Sequence, residues 1–477
     1  MPDSEFSRRA LIRGLIGSVA AHSSARPGAG LVRVQIHPRR RLGRIPADFL
    51  GLGYEISSVS EPGLLAASNE SYVQFVRTLG PAGVIRIGGN TSDYASWSAD
   101  GPAVSSPQGA VVDRRAVDDL GSFLHATGWR LIWGLNLGRG TIEEAVNEAV
   151  SVAASVGDRL LAFEIGNEPD LFAGIHRPAN YSYVDYYSEY LRYKNAIRDK
   201  LGNAPFAGPD VIVHSEWLEQ FAMTEESDLQ LLTHHYYAEG PPDNPTSTIE
   251  DLLKPNPILT GLLGTLETAS RKAQLPFRIC EANSCFGGGK PGVSNTMASA
   301  LWGLDFLFTL AAFNSAGVNI ETGVNHLGFL SWYTPVGLDL TNSYRAMPLY
   351  YGMLAFALGS RGSLIQLSVD TAGLNITAYA VSSDHGEIWL TLVNKEAGRD
   401  AEVRATSPGI DNASVFRLTS PSLGSVDNVL LGGSAVGGNG KWLPDALEPI
   451  LVMDGEFEVG VPAASAAIVC LRRSSKV

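Results

Sequence analysis

The chain has 477 residues, of which 45% are hydrophobic and 18% are charged. These proportions are typical of a globular protein with a large core and exclude an intrinsically disordered one, and the length indicates two or three domains. The formal net charge of −13 argues against a nucleic-acid partner, because phosphate binding requires a basic surface. No stretch approaches the roughly 20 consecutive apolar residues that a membrane-spanning helix needs.

The N-terminal segment has the pattern of an export signal. Arg8 and Arg9 are followed by a short apolar stretch at 15–21 and then by small residues. We predict that residues 1–25 form a twin-arginine-type signal peptide, which directs the protein to the periplasm or out of the cell. A disordered basic tail is the alternative. Residues 26–46 contain an alternating run that is predicted to be a strand pairing into the C-terminal domain.

Between residues 47 and 345, short apolar runs rich in β-forming residues alternate with longer stretches of helical periodicity. Eight such runs occur, and this rhythm predicts an α/β fold, a (β/α)8 barrel. The predicted strands are 49–56, 83–90, 130–137, 161–168, 205–209, 231–237, 276–283 and 316–322. The predicted helices include 112–127, 141–156, 183–201, 249–273 and 296–313.

Residues 346–477 have a different rhythm. After an apolar helix at 352–358, short alternating runs are separated by Gly, Asp, Ser and Pro, which predicts a C-terminal antiparallel β-sandwich. The predicted strands are 364–369, 374–380, 387–394, 401–405, 415–419, 450–453, 456–460 and 465–471. The glycine-rich stretch 431–440 is predicted to be a loop.

Two of the predicted barrel strands end in a carboxylate. The apolar run at 163–165 leads into Asn167 and Glu168, and Pro169 then prevents the strand from continuing. The run at 276–283 carries Glu281 near its end. One glutamate alone could be a solvated turn residue. Two glutamates on two strand ends of one barrel favour a glycosidase pair, because active sites lie at that face of a barrel.

Other predicted strand ends bring further polar groups to the same face. Strand 1 ends in Tyr54 and Glu55, strand 2 in Asn90, and strand 6 in a run that includes Tyr237. A retaining glycosidase needs one carboxylic acid to protonate the leaving oxygen and one carboxylate to attack the anomeric carbon, about 5–5.5 Å apart. Strands 4 and 7 lie across a barrel mouth, so we expect Glu168 and Glu281 to face each other.

At these residues the sequence resembles glycoside hydrolase family 79, the β-glucuronidase and heparanase family of clan A. Three stretches carry the resemblance: RIGGNT at 86–91, FEIGNEPD at 163–170 and EANSCFGGGKPG at 281–292. The resemblance implies that Glu168 is the general acid/base and Glu281 the nucleophile of a retaining β-glucuronidase. It also implies a barrel followed by a sandwich, a carbohydrate substrate and no cofactor.

Several further residues are expected to bind the substrate. Asn167 is predicted to contact the sugar 2-hydroxyl, and Tyr237 is predicted to steer Glu281. Glu55 and Asn90 are expected to contact other hydroxyls, although turn capping is a comparable role for Asn90. Tyr333, with its neighbour Trp332, could stack on a sugar ring or pack in the core.

The strand-4 run contains a second glutamate. Glu164 lies four residues before Glu168. At that depth a structural salt bridge or hydrogen bond inside the barrel is a better interpretation than catalysis.

One position departs from the uronidases of the family. They have a tyrosine five residues after the nucleophile, where this chain has Phe286, and a second family tyrosine is not evident near 323–326. The backbone N–H groups of Gly287 and Gly288 could still bind a sugar carboxylate. A β-glycosidase for a neutral sugar, such as a glucoside, xyloside or galactoside, is therefore an alternative.

Two other classes of function are alternatives to a glycosidase. The adjacent His234 and His235 point to opposite faces of a strand and cannot share one metal ion, and no HExxH motif occurs, so no metal site is predicted. A metal-dependent hydrolytic barrel would instead lose its activity in EDTA. A catalytically silent carbohydrate-binding barrel is the other alternative, and the presence of both glutamates argues against it.

Overall fold

The structure, a computed structural model, describes residues 30–106, 109–225, 228–323 and 331–473. The predicted signal peptide at 1–25 and most of the stretch near 323–326 lie outside the described residues. A closed eight-stranded parallel barrel is followed by a separate, mostly antiparallel sheet. The predicted fold class is thereby confirmed.

Eight parallel strands close the barrel, and each overlaps one of the eight predicted runs. The strands are β2 (Leu50–Glu55), β3 (Val84–Gly88), β7 (Arg130–Leu135), β8 (Leu160–Ile165), β9 (Phe206–Val211), β10 (Leu229–Glu239), β11 (Phe277–Cys285) and β12 (Val318–Glu321). The last strand pairs with the first through Val318 and Leu50, which closes the cylinder. The carboxyl ends of all eight strands therefore open onto one mouth.

The ends of two strands differ from the prediction at the residues that matter most. Strand β8 stops at Ile165, because Gly166 and Glu168 adopt positive φ angles that leave the extended conformation. Strand β11 instead continues to Cys285, because β10 runs beside it as far as Glu239. Glu281 therefore lies within a strand, not at its end.

Strand β9 continues past the residue that was predicted to end it. Pro209 has no N–H to give to the ladder. The next donor compensates, since the Asp210 N–H binds the Thr233 hydroxyl of β10 at 3.1 Å. The strand thus reaches Val211 and places Asp210 at the barrel mouth.

Helices follow the barrel strands. They are α1 (Glu70–Leu79), α2 (Arg114–Thr127), α3 (Ile142–Val156), α4 (Tyr183–Leu201), α5 (Ser215–Thr224), α6 (Ile249–Leu252), α7 (Pro257–Ala273), α8 (Met297–Ala312) and α9 (Pro348–Gly359). The single helix predicted at 249–273 is wrong. It is divided into α6 and α7, because Pro255 and Pro257 cannot supply the N–H groups that a continuous helix needs.

Short strands and 3-10 turns lie between the main elements of the barrel. Three small strands follow β3, and a hairpin precedes α9; they are β4 (Ser96–Trp97), β5 (Val104–Ser106), β6 (Gly109–Val112), β13 (Val336–Leu338) and β14 (Tyr344–Ala346). Single 3-10 turns lie at Ile56–Ser58, Asn90–Tyr94, Gly157–Arg159 and Pro169–Leu171. Among the helices of the described ranges, none combines the length and the apolar character needed to cross a bilayer.

The second sheet has eleven strands. They are β1 (Gly30–Arg44), β15 (Ser363–Asp370), β16 (Ile376–Ser382), β17 (Ile388–Asn394), β18 (Ala401–Thr406), β19 (Asn412–Thr419), β20 (Leu430–Leu431), β21 (Glu448–Ile450), β22 (Val452–Met453), β23 (Glu456–Val461) and β24 (Ser465–Arg472). The sheet is continuous but folds over, so that β23 also contacts β17 and β24. Its two halves enclose a second apolar core.

The N-terminal strand lies in the middle of this sheet. Along β1 the side chains of Val32, Val34 and Ile36 are buried, and the residues between them face outwards, as the alternation in the sequence predicts. β1 pairs antiparallel with β15 and parallel with β18. The antiparallel pattern expected for the whole sheet is therefore interrupted at this one pair.

Two apolar helices join the barrel to the sheet. Almost every residue of α8 and α9 is buried, because both helices have the barrel on one side and the sheet on the other. One ion pair fixes the contact: the Lys395 Nζ lies 2.6 Å from an Asp305 carboxylate oxygen. Thr377 and Tyr379 also donate to Asp305. These contacts of Asp305 hold the barrel and the second sheet together.

Candidate active site

A buried arginine organises the barrel mouth. Arg86, in β3, is completely buried, and its guanidinium reaches three carboxylates on three other strands or their ends. Its Nη1 lies 2.7 Å from Glu281, its Nη2 2.6 Å from Asp210, and its Nε 3.2 Å from Glu164. A fourth bond joins Nη2 to the Asn167 side-chain oxygen at 2.9 Å. A buried charge requires such partners, so this cluster fixes the relative positions of the strands that carry them.

Glu281 is held by two donors. One carboxylate oxygen accepts from Arg86, and the other accepts from the Tyr237 hydroxyl at 2.8 Å. The charge-assisted bond to Arg86 and the phenolic bond orient the carboxylate without covering it, since its side chain keeps 10% of its exposure. The predicted contact between Tyr237 and Glu281 is thus present in the structure.

Glu168 lies in a left-handed backbone conformation, with φ of 50° and ψ of 51°. Its own N–H binds the Asp210 carbonyl at 3.0 Å, and its carboxylate lies 2.9 Å from the His235 Nδ1. Burial raises the pKa of Glu168, although the hydrogen bond from His235 acts in the opposite direction. A carboxylate oxygen of Glu168 lies within 4.8 Å of one of Glu281.

His235 connects the two carboxylates with the arginine cluster. Its Nε2 lies 2.7 Å from Asp210, so both ring nitrogens face a carboxylate. Burial alone would lower the pKa of His235, but Asp210 and Glu281 outweigh it and raise that pKa well above its usual value. Burial would likewise raise the pKa of Asp210, yet Arg86 and His235 lower it to about 2. His235 is therefore a positively charged positioning group for Glu168.

One wall of the site is formed by Glu55, which ends β2, and by Asn90 and Thr91, which follow β3. The Glu55 carboxylate accepts from the N–H groups of Asn90 and Thr91, at 3.2 and 2.7 Å, and from the Thr91 hydroxyl at 2.6 Å. Burial, reinforced by the charge of Glu281, raises the pKa of Glu55 to about 7. The Asn90 side-chain oxygen lies 3.5 Å from the Asn167 amide.

Aromatic rings and glycines form the opposite wall. The ring centroids of Phe286 and Tyr333 each lie 6.3 Å from that of Tyr237. Gly287 and Gly288 have φ angles of 75° and 88°, a conformation that suits glycine because it has no Cβ. The Gly288 carbonyl accepts from the Trp332 N–H, so this glycine turn is tied to the segment that carries Tyr333.

These walls enclose a cavity of about 560 Å³. Every residue predicted from the sequence to bind or react lines it, with two exceptions: the lining includes Glu55, Asn90, Glu168, Tyr237, Glu281, Phe286, Gly287, Gly288 and Tyr333. Asn167 is the first exception. It lies buried beneath the cavity, where its oxygen is engaged by Arg86. Trp332 does not belong to the lining.

Four residues of the site were given no role in it by the sequence analysis: Arg86, Asp210, Glu321 and His235, which was named only as an unsuitable metal ligand. A signal was available for Arg86, because a charged residue inside the apolar run VIRIG must be paired in the folded chain. Glu164 has the structural role expected for it, since it binds Arg86 in the barrel interior. Burial and the nearby Asp210 raise the pKa of Glu164 to about 7.

Glu321 ends the last barrel strand and lines the cavity, yet it is only 3% exposed, and one of its carboxylate oxygens has no hydrogen-bond partner. Burial, together with Glu281 and Glu55, raises its pKa well above the usual value. Glu321 therefore keeps its proton to a higher pH than an exposed glutamate does.

This state of Glu321 predicts how stability depends on pH. Because its pKa is higher in the folded than in the unfolded chain, its ionisation destabilises the fold as the pH rises above the unfolded value. The change Glu321→Gln removes that titration. We expect the difference in melting temperature, variant minus wild type, to increase from pH 5 to pH 8. Glu402→Gln, at an exposed position of β18, is the control. The difference between its melting temperature and that of the wild type should not change with pH. Parallel curves for Glu321→Gln would refute the neutral form.

Two groups of side chains have donor atoms close enough for a metal ion, namely Glu164, Asp210 and Cys280, and Glu168, His235 and Glu281. In both groups the Arg86 guanidinium already binds a carboxylate member. Burial also raises the pKa of the Cys280 thiol well above its usual value, which disfavours the thiolate that a metal requires. Each of the two groups thus has a carboxylate that is already paired with the guanidinium of Arg86.

No protein-family model matches the chain. The β-glucuronidase of Aspergillus niger is 26% identical over 394 residues, which cover 73% of this chain and 69% of that protein. The β-glucuronidase of Neurospora crassa is 27% identical over 314 residues, 57% of this chain and 55% of that protein. The heparanase of Bos taurus is 29% identical over 214 residues, 41% of this chain and 37% of that protein. The chain thus spans about two thirds, about half and about a third of these relatives.

Solved structures agree on the architecture. A 4-O-α-L-rhamnosyl-β-D-glucuronidase from Fusarium oxysporum superposes with a TM-score of 0.77 at 17% identity, covering 92% of this chain and 99% of that one. A family 51 arabinofuranosidase from Xanthomonas axonopodis pv. citri gives 0.70 at 16% identity, covering 93% and 100%. At such identities the likeness is one of fold.

Proposed function

We propose that the chain is a member of glycoside hydrolase family 79, the β-glucuronidase and heparanase family, and that it hydrolyses β-glucuronides with retention of configuration. The observation that carries this proposal is that a carboxylate oxygen of Glu168 lies within 4.8 Å of a carboxylate oxygen of Glu281 and that both residues line one cavity. Retaining glycosidases hold their two carboxyl groups about 5–5.5 Å apart, whereas inverting enzymes leave room for a water molecule between groups about 6.5–9.5 Å apart.

The surroundings of the two glutamates assign them different roles. Glu281 faces a guanidinium and a phenol, which stabilise a charged carboxylate and suit a nucleophile. Burial keeps the pKa of Glu168 raised, which suits a group that must arrive protonated. In the first step Glu281 attacks the anomeric carbon while Glu168 gives its proton to the leaving oxygen, so that a covalent glycosyl-enzyme forms and the aglycone departs.

The second step reverses the role of Glu168. The charge of Glu281 is one of the causes that raise the pKa of Glu168, and this charge disappears when Glu281 is esterified by the sugar. Glu168, which has already given its proton to the leaving group, therefore stays ionised and serves as the base that removes a proton from water. The water oxygen attacks the anomeric carbon, Glu281 leaves as a carboxylate, and the β-configured sugar is released.

The glucuronate carboxylate would lie at the glycine turn. The N–H groups of Gly287 and Gly288 make no hydrogen bond to another described residue, and both glycines line the cavity. Their amides supply the donors that Phe286 does not. The raised pKa values of Glu55 and Glu321 also reduce the negative charge that a uronate would meet. Phe286 is the observation that favours the second candidate, a β-glycosidase for a neutral sugar.

Chromogenic substrates distinguish the two candidates. We expect kcat/KM for 4-nitrophenyl β-D-glucuronide to exceed that for the β-glucoside, β-galactoside and β-xyloside by about tenfold or more, since a site built to hydrogen-bond one group discriminates strongly against its absence. Nuclear magnetic resonance of the first-formed product should show the β-anomer. A faster neutral glycoside would replace the sugar assignment, and an initial α-anomer would overturn the retaining mechanism.

We further propose that the protein is exported through its twin-arginine-type N-terminus. Arg8 and Arg9 precede a short apolar stretch, and the three cysteines Cys280, Cys285 and Cys470 are buried and unpaired, as a substrate exported in the folded state allows. N-terminal sequencing of protein recovered outside the cytoplasm tests this: a mature chain beginning near residue 26 is expected, and an intact N-terminus would contradict it.

A further inference from the structure

The lining of the cavity has two chemically different parts. One part consists of the carboxyl groups and phenols described above. The other part consists of Leu171, Ile212 and Val213, which we call the apolar ledge. Leu171 is 39% exposed and Val213 is 62% exposed, so both side chains offer apolar surface at the mouth of the cavity. Such a surface gains free energy when an apolar group covers it.

The apolar ledge is rigidly tied to Glu168. Leu171 belongs to the 3-10 turn that follows Glu168, and its N–H binds the Glu168 carbonyl at 2.8 Å. Asp170, in the same turn, accepts from the N–H groups of Ile212 and Val213 at 3.2 and 2.8 Å. One buried carboxylate thus locks the segment after β9 onto the segment that carries Glu168.

The position of the ledge identifies which part of a substrate it would meet. Glu168 protonates the oxygen between the sugar and the aglycone, so the aglycone must lie on the Glu168 side of the cavity. The reacting sugar must instead lie against Glu281, whose carboxylate attacks its anomeric carbon. The ledge therefore borders the leaving group and not the sugar ring.

The charges around the cavity restrict the leaving group further. None of the described residues that line the cavity is a lysine, arginine or histidine, whereas four are glutamates: Glu55, Glu168, Glu281 and Glu321. His214, which follows Val213, is paired with Glu216 at 2.6 Å. A leaving group that carries sulfate or carboxylate would find no cationic partner among these residues to replace the water that it loses on binding.

We propose that the apolar ledge is the aglycone subsite of this enzyme and that it takes an apolar leaving group, such as an aryl or fused-ring alcohol, in preference to an acidic saccharide. The inference rests on the proposed glucuronidase function, because that function places Glu168 beside the leaving oxygen. The cavity volume of about 560 Å³ is that of a site for a small conjugate.

Two glucuronides with the same phenol test the proposal. They are 4-methylumbelliferyl β-D-glucuronide and its analogue in which the methyl group is replaced by a carboxymethyl group. The leaving oxygen is nearly equivalent in both, so a difference in kcat/KM reports on the ledge. We expect the carboxylate-bearing substrate to be hydrolysed about tenfold or more less efficiently, in line with the discrimination of an apolar pocket.

A pair of isosteric variants assigns the effect to the ledge. Val213→Thr replaces a methyl group by a hydroxyl, and we expect kcat/KM for the methylumbelliferyl substrate to fall roughly three- to tenfold. Val184→Thr is the matched control, since Val184 is 73% exposed on α4 and does not line the cavity. Its kcat/KM should equal that of the wild type.

The outcomes separate the two proposals. If the wild type hydrolyses neither glucuronide, the proposed function fails. If it hydrolyses both equally well, the aglycone inference is overturned while the glucuronidase function stands, and this result does not depend on the folding of any variant. A loss of the substrate preference in Val213→Thr, with Val184→Thr unchanged, supports the subsite.

Discussion

Glu281→Ala is expected to lower kcat/KM for the best β-glycoside by about 10⁴-fold or more, because the variant can no longer form the glycosyl-enzyme. The free energy involved is about 5.5 kcal/mol, at about 1.36 kcal/mol per factor of ten. The loss should fall on kcat, since the role proposed for Glu281 is at the anomeric carbon and not at the rest of the sugar. Steady-state kinetics with an aryl β-D-glucuronide measures it.

External azide should restore part of this activity. The alanine leaves space beneath the anomeric carbon, so azide can attack where Glu281 did while Glu168 still protonates the leaving group. The product is then an α-glycosyl azide, which nuclear magnetic resonance identifies. Glu239→Ala, at a glutamate of the neighbouring strand that does not line the cavity, is the control and should retain activity within about twofold. Near-normal hydrolysis by Glu281→Ala would leave only the silent carbohydrate-binding barrel or another mechanism.

Arg86→Met is expected to reduce the free energy of unfolding by about 3–5 kcal/mol, the effect of removing one member of a buried ion-pair cluster. Methionine fills a similar volume but leaves the carboxylates of Glu164, Asp210 and Glu281 without their shared cation. We also expect kcat to fall by at least about 10²-fold, because Glu281 loses the donor that orients it. Urea unfolding and steady-state kinetics measure the two effects.

The stability effect of Arg86→Met should depend on pH. In the wild type the pKa of Asp210 is lowered to about 2, so its contribution is present above the unfolded value and is lost as the pH falls towards 2. Without Arg86, burial favours the neutral acid instead. The difference between variant and wild type should therefore be larger at pH 7 than at pH 4.

Arg404→Met is the matched control for Arg86→Met. Arg404 pairs with Glu458 at 2.6 Å on the surface of the second sheet, where both side chains are at least half exposed. Exposed pairs of this kind contribute about 0–1 kcal/mol. An Arg86 variant that is no less stable than the Arg404 variant would show that the buried cluster does not hold the barrel mouth together.

Much of the fold follows from local patterns in the sequence. The eight barrel strands are visible because each is a short apolar run, and periodicity is a property of neighbouring residues. The predictions are wrong where a contact with a residue distant in the sequence supplies what the local sequence lacks. The strand through Pro209 was predicted to stop there, but the Thr233 hydroxyl of the adjacent strand satisfies the following N–H. Similarly, β11 extends past Glu281 because β10 continues beside it.

The sequence by itself determined the alternation of strands and helices, the change of rhythm near residue 346 and the two glutamates that follow or occupy apolar runs, since all of these depend on spacing along the chain. Only the tertiary structure decided what surrounds those glutamates. Arg86 meets Asp210 124 positions later and Glu281 195 positions later, and no local pattern encodes such a meeting. The physical reason is that closing the barrel buries these charges together, where each requires a partner that the chain supplies from a distant strand.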